Sequence, residues 1–275
     1  MKNKTNLVWK IFFLLVTISA LKLFGTFYGI NLERYGLFKI IFLSFPVLLL
    51  LFHSIITLLT KKAIFFILLA STVGFLMERL GLKTGTIFGG HYVYRSDQLA
   101  ISNVPLSVVF YWAVFIYTGY CVVTSFLYWS DLKKPNIKLK NFWLVPLLVF
   151  IDGLVVTAID IFMDPLQVKT GSWTWLDGGP YFGVPIGNFI GWFIVTVMVT
   201  GLFRTFEYFF PTKKEEFNKS IFIVPVLGYG FLALSFALSA IKYQMLNLAI
   251  IGSLLMLPTV ILNLFLFFKQ TKRSF

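Results

Sequence analysis

Apolar stretches long enough to cross a bilayer recur along nearly the whole chain, and this constrains the fold more than any other feature. A helix needs about 17–25 predominantly apolar residues to span roughly 30 Å of hydrocarbon. Such runs occur over residues 8–30, 37–60, 63–80, 104–128, 141–161, 188–210, 220–240 and 245–268. With 58% hydrophobic and only 13% charged residues among 275, a soluble domain is excluded. The sequence therefore predicts an all-α integral membrane protein with about eight transmembrane helices, forming a single polytopic membrane domain over residues 1–275. The first run exceeds a signal-peptide core and lacks a small-residue cleavage site, so it reads as a retained span.

The formal net charge of +13 raises the question of nucleic acid, and its distribution answers it. With the N-terminus placed in the cytoplasm, sixteen Lys and Arg fall on cytoplasmic segments, seven on the opposite side, and Lys22 lies within the first span. Positive-inside bias of this kind reflects topology. It predicts a multi-pass protein of the plasma membrane with both termini cytoplasmic and no nucleic-acid partner. Cys121 is the sole cysteine, which excludes an intramolecular disulfide, a thiolate metal cluster and a redox pair.

Two connections are longer than the rest, 81–103 and 162–187, and the charge count puts both on the non-cytoplasmic side. They resemble each other. Glu78-x-Leu80-x-Leu82-Lys83-Thr84-Gly85 recurs with identical spacing as Asp164-x-Leu166-x-Val168-Lys169-Thr170-Gly171. Downstream, Val104-Pro105 precedes Trp112 by the same interval at which Val184-Pro185 precedes Trp192. This pattern predicts an internal helix-loop-helix repeat over 76–115 and 162–195. Chance similarity between apolar segments is the competing account; against it, the matched acid, Lys-Thr-Gly and Pro/Trp positions are not the apolar ones.

Carboxylates inside a membrane span are costly and need either a partner or a task. The fifth run carries Asp152 near its middle, Asp160 near its outer end and Asp164 just beyond. Helical spacing places Asp160 and Asp164 one turn apart on one face, with Asp152 about 12 Å deeper and rotated by roughly 80°. Glu78 occupies in the first repeat the depth of Asp164 in the second. The plainer readings are capping or pairing with Lys169 for Asp160 and Asp164, and a buried hydrogen bond essential to the fold for Asp152.

The second loop is dense in aromatic and turn-forming residues. Trp173, Trp175, Tyr181 and Phe182, beside Asp177, Asn188 and Trp192, fit an aromatic-walled substrate pocket; an interfacial aromatic belt is the alternative. The first loop offers His91 and Tyr92 in the corresponding place, although His91 also reads as a solvated loop residue. His53 reads as a satisfied helix-interface residue. Two distant histidines and scattered carboxylates give no metal spacing, and no phosphate-cradling loop is present, so neither metal nor cofactor is expected.

On these residues the chain resembles the CruF-type carotenoid biosynthesis membrane proteins, the carotenoid 1,2-hydratases that include bisanhydrobacterioruberin hydratase. The carrying segment is Trp173-Thr174-Trp175-Leu176-Asp177-Gly178-Gly179-Pro180-Tyr181-Phe182-Gly183-Val184-Pro185 and its continuation to Trp192, with Asp164-Pro165 upstream and Gly89-Gly90-His91-Tyr92 in the earlier loop. The similarity extends over roughly residues 70–210. It implies addition of water to the terminal double bond of a membrane-embedded carotenoid or other polyprenoid, leaving a tertiary alcohol. It also leaves association with other carotenoid enzymes open.

Hydration of a trisubstituted alkene requires a strong proton donor, stabilisation of a tertiary cation and one admitted water. A carboxylic acid kept protonated by apolar surroundings supplies the proton, aromatic faces stabilise the cation, and a second carboxylate orients the water. On this reading Asp152 or Asp160 is the donor, Asp164 and Glu78 orient water, and Trp173, Trp175, Tyr181 and Phe182 flank the cation. Two other readings remain: an end-group cyclase, which also begins by protonation, and a transporter, since parallel repeats with carboxylates near the bilayer occur there too. A purely structural scaffold fits least well with buried acids.

Overall fold

The computed structural model describes residues 2–30, 32, 35–95, 99–130, 142–211 and 219–272. Each apolar run becomes a helix: α1 (Lys2–Phe27), α2 (Gly36–Leu58), α3 (Thr60–Thr84), α4 (Leu106–Trp129), α5 (Leu144–Thr170), α6 (Ile186–Phe209), α7 (Ile223–Lys242) and α8 (Leu246–Lys272). All eight are long and apolar enough to cross a membrane, so the expected all-α membrane fold is what forms. In hydrocarbon a helix satisfies its backbone within the segment, which is why apolar length alone is so strong a signal.

Helices α4, α5 and α6 are the most deeply buried and form the centre of the bundle. Helix α3 packs on α4 and α5 on α6, while α7 pairs with α8 and α1 lies against α2 and α7. Single hydrogen bonds tie the layers together where few polar groups are available. Tyr229 of α7 donates to the Val155 carbonyl of α5 at 2.9 Å, and Ser125 of α4 donates to the Phe222 carbonyl at 2.8 Å.

Two boundary differences from the hydropathy reading bear on the acids. Helix α5 continues well past residue 161, so Asp164 and Pro165 lie inside it and not in a loop. Helix α3 likewise runs to Thr84. Acidic residues lower hydropathy without breaking a helix, and the helices stop where glycine supplies a left-handed C-cap: Gly85 at φ 69° and Gly171 at φ 70°. The ends match in detail. Thr84 donates to the Leu80 carbonyl at 2.8 Å, and Thr170 donates to the Leu166 carbonyl at 3.0 Å. Helices α4 and α6 also start alike, each after an extended proline, Pro105 and Pro185.

The two long connections meet. Strand β1 (Tyr92–Tyr94) pairs antiparallel with β4 (Trp173–Trp175), aligning Tyr92 with Trp175 and Tyr94 with Trp173. A short hairpin, β2 (Ala100–Ile101) with β3 (Val104–Pro105), leads into α4. Behind the ladder the loops touch backbone to backbone: a Cβ on Gly187 would lie 2.5 Å from the Gly89 Cα, and one on Gly89 would lie 2.8 Å from the Gly187 Cα. Alanine at Gly187 would ordinarily favour the first turn of α6. Because the obstacle is backbone, Gly187→Ala is instead expected to destabilise by about 1–3 kcal/mol, read as a lower melting temperature of the purified protein.

Arg204 requires a correction. The charge count assigns it to a cytoplasmic segment, yet it lies inside α6, 2% exposed. Without it the count is fifteen against seven. Of the basic residues used in that count, Arg34, Lys133, Lys134, Lys138, Lys140, Lys213, Lys214 and Arg273 lie outside the described residues.

Candidate functional site

Glu78, buried in α3, accepts three hydrogen bonds. Tyr92 and Tyr94 both donate to Oε2, at 2.6 and 2.7 Å, and the Trp112 indole donates to Oε1 at 3.0 Å. Strand periodicity explains the two phenols: residues 92 and 94 of β1 fall on one face, which is turned toward α3. Burial, together with the Glu78 charge, pushes both phenols well above the usual tyrosine range, so they remain neutral donors. The β1–β4 register then sets the aromatic partners. Tyr92 faces Trp175 at 5.6 Å and Tyr94 faces Trp173 at 5.7 Å between ring centroids. Trp175 is fixed by donating from its indole to the Phe88 carbonyl at 3.0 Å.

A second carboxylate group lies across the α5–α6 seam. The Asn188 amide nitrogen donates both to Asp160 Oδ2, at 2.8 Å, and to Asp164 Oδ2, at 2.7 Å. All three residues are buried, and Oδ1 of each aspartate has no hydrogen-bond partner among the described residues. Two carboxyl groups sharing one amide, each with an oxygen to spare, can hold a proton between them or grip a small hydroxylic molecule. Trp112, which is bonded to Glu78, stacks on Trp192 at 4.1 Å with 29° between their planes, and Trp192 lies one helical turn after Asn188 on α6. Gly74 makes room for Trp112, since a Cβ there would come within 2.4 Å of the ring.

These groups form the polar end of a cavity of about 820 Å³. Glu78, Asp164, Asn188, Tyr92, Trp173, Trp175 and Trp192 all line it, whereas Asp160 sits behind Asp164. The remaining walls come mostly from apolar residues of α1, α2, α4 and α7. From Val224 of α7 to the C-cap residue Tyr243 the lining extends about 28 Å, close to the thickness of a bilayer core. His53 lines the deep part with both ring nitrogens engaged, at 2.7 Å from the Tyr117 hydroxyl and 3.0 Å from the Ile221 carbonyl.

A family model for carotenoid biosynthesis proteins matches residues 34–258. The chain belongs to the carotenoid biosynthesis protein family. No curated protein and no solved structure matches it. The family assignment gives this membrane protein a role in carotenoid biosynthesis, and a long apolar cavity suits a lipophilic carotenoid substrate.

Within this carotenoid biosynthesis protein the remaining sequence-derived candidates lie elsewhere. Asp152 is not near the acid pair. It is fully buried and bound by Arg204, whose Nε and terminal nitrogen donate to its two oxygens at 2.5 and 2.6 Å. Tyr181 and Phe182 pack edge to face at 4.9 Å, and Tyr181 also packs edge to face on Phe189; neither belongs to the cavity lining. His91 and Asp177 are exposed. His91 precedes Tyr92 by one residue, so strand alternation turns it to the opposite face. The site also contains two residues not selected from sequence. Trp112 carried a signal as the repeat counterpart of Trp192, and Tyr94 as the alternate-position partner of Tyr92.

Proposed function

We propose that this carotenoid biosynthesis protein is a cofactor-independent hydratase, adding water to the terminal carbon–carbon double bond of a carotenoid or related polyprenoid. The observation that carries the reading is the Asp160–Asn188–Asp164 group, placed beside a stacked tryptophan pair at the polar end of an apolar cavity. Asp164, which faces the cavity, gives a proton to the CH carbon of the terminal double bond. The tertiary cation that results lies against the face of Trp192 that its stack on Trp112 leaves open. Water attacks this cation and its surplus proton passes to the emptied Asp164–Asp160 pair, so the acid is restored and one water is consumed. Glu78 serves as a fixed acceptor that sets the Trp112 ring and the two tyrosines, and Asp160 retains the proton behind Asp164. Asp152, held by Arg204, is assigned a structural role.

The matched helix ends and the facing loops support reading 76–115 and 162–195 as a duplicated unit folded about its own β1–β4 contact. The bias in basic residues supports a multi-pass plasma-membrane protein with cytoplasmic termini and the acid cluster in the outer half of the membrane. Expression in a host that accumulates lycopene or bisanhydrobacterioruberin is expected to yield pigment heavier by one or two waters. Mass spectrometry of the extract checks this. A product of unchanged mass with a ring would identify an end-group cyclase instead, and unchanged pigment with solute uptake in vesicles would identify a transporter.

A further inference from the structure

Gly228 lies in the interior of α7, where glycine weakens a helix relative to alanine. Gly74, Gly119, Gly153, Gly191 and Gly252 make room for a packed neighbour, since a Cβ on any of them would lie within 2.5 Å of another residue. Gly228 has no such neighbour. A Cβ there would meet only the Phe12 ring, at 3.8 Å, which is ordinary contact, and the residue lines the cavity. Its missing side chain is therefore open slot. Two contacts between α5 and α7 fix its depth. Tyr229 donates to the Val155 carbonyl, and Phe236 packs on Phe162 with ring centroids 5.6 Å apart. Both contacts have the same residue offset, which puts Asp164 level with Leu238 and Gly228 about 15 Å deeper along the bundle. Val224, about 6 Å deeper again, is the last α7 residue of the lining, and α1 and α2 end their share of it at Phe12 and His53.

An extended carbon chain advances about 1.2 Å per bond, as an extended backbone does, so about twelve chain carbons, or about three isoprene units, separate an end group at Asp164 from Gly228. We propose that Gly228 is the length gauge of the site: the polyprenoid enters end first, its tail runs over Gly228 into the deep part of the slot, and the open position selects chains of more than about three isoprene units. A side chain at 228 would project between α7 and the Phe12 ring and close the slot to the tail while leaving the acid end untouched. The proposal rests on the hydration reading only for which end lies at Asp164; the depth of the tail is read by binding alone.

The test loads the purified full chain in detergent with lycopene or with β-farnesene, a shorter hydrocarbon that carries the same isopropylidene end. Bound hydrocarbon is extracted after gel filtration and quantified by mass. Gly228→Phe is expected to weaken lycopene relative to β-farnesene by at least about tenfold, equivalent to about 1.4 kcal/mol, with Gly228→Ala falling between it and the wild type. Adding Phe12→Ala to Gly228→Phe clears the ring that faces the new side chain and should recover part of the lycopene binding. A folded Gly228→Phe protein with the wild-type preference would overturn the proposal, as would a double variant that recovers nothing or a wild type that binds neither hydrocarbon. If Gly228→Phe fails to fold, Gly228→Val decides by the same comparison. Gauge behaviour in binding without any hydrated pigment would sink the hydratase and leave the gauge standing; hydration with a length preference that no substitution at 228 moves would do the opposite.

Discussion

Replacing Asp164 by asparagine is expected to lower formation of hydrated pigment by about a hundred- to ten-thousandfold, the range over which a positioned general acid contributes. The effect should fall on chemistry and not on folding. Asn188 donates to Asp164 at 2.7 Å, and an asparagine at 164 still offers a carbonyl oxygen to receive that bond. What disappears is the transferable proton and the acceptor that recovers one from water. Asp160→Asn is expected to cost less, because Asp160 sits behind Asp164 and acts through it. The double variant should be hardly worse than Asp164→Asn alone, as residues acting as one unit are non-additive. Pigment extracts from equal amounts of membrane protein, resolved by mass, provide the measurement. Full activity in Asp164→Asn would end the assignment of this pair as the acid.

The distribution of legible and illegible features has a physical reason. Spans were readable because the bilayer demands about 20 apolar residues whatever their partners, and the acids were readable because hydrocarbon makes them conspicuous. The loops could be paired in advance because Glu78 and Asp164 precede the same Lys-Thr-Gly stop. Which acids act together was not readable, since it depends on which face of α6 meets α5. Asn188 joins Asp160 to Asp164, yet nothing in its spacing required it to reach both. Strand alternation was the missed local rule. Tyr92 and Tyr94 turn inward together, which sends His91 outward despite its neighbouring glycines. In the Gly171–Pro185 stretch the rings of Tyr181 and Phe182 meet each other at a tight turn with Phe182 at φ 51°, and Tyr181 also meets Phe189, an arrangement that depends on long-range packing.

Arg204 was hidden for a different reason. Near the C-terminal end of its span it resembles a snorkelling loop charge, and only the fold shows it turned into the bundle to Asp152, fifty-two residues earlier in the chain. Both partners are buried, and Arg204 also lies 4.4 Å from the centroid of the Tyr120 ring, with its terminal nitrogens 3.4 to 3.5 Å from the Tyr120 carbonyl and the Thr124 hydroxyl. Arg204→Met should therefore destabilise the bundle severely, by about 3–5 kcal/mol, because it leaves Asp152 buried without a counter-charge. Replacing both partners, with Arg204→Met and Asp152→Leu, removes the orphaned charge and should recover most of that loss, since a buried ion pair exchanged for apolar groups of similar size is often near neutral. Melting temperatures of the detergent-solubilised variants give the comparison. Pigment analysis of the double variant separates structure from chemistry: hydration should persist in it, since Asp152 is placed two turns from the acid pair and tied to Arg204. A double variant that folds yet makes no hydrated product would return Asp152 to the reaction, and an Arg204→Met protein as stable as wild type would show that the pair does not hold the bundle together.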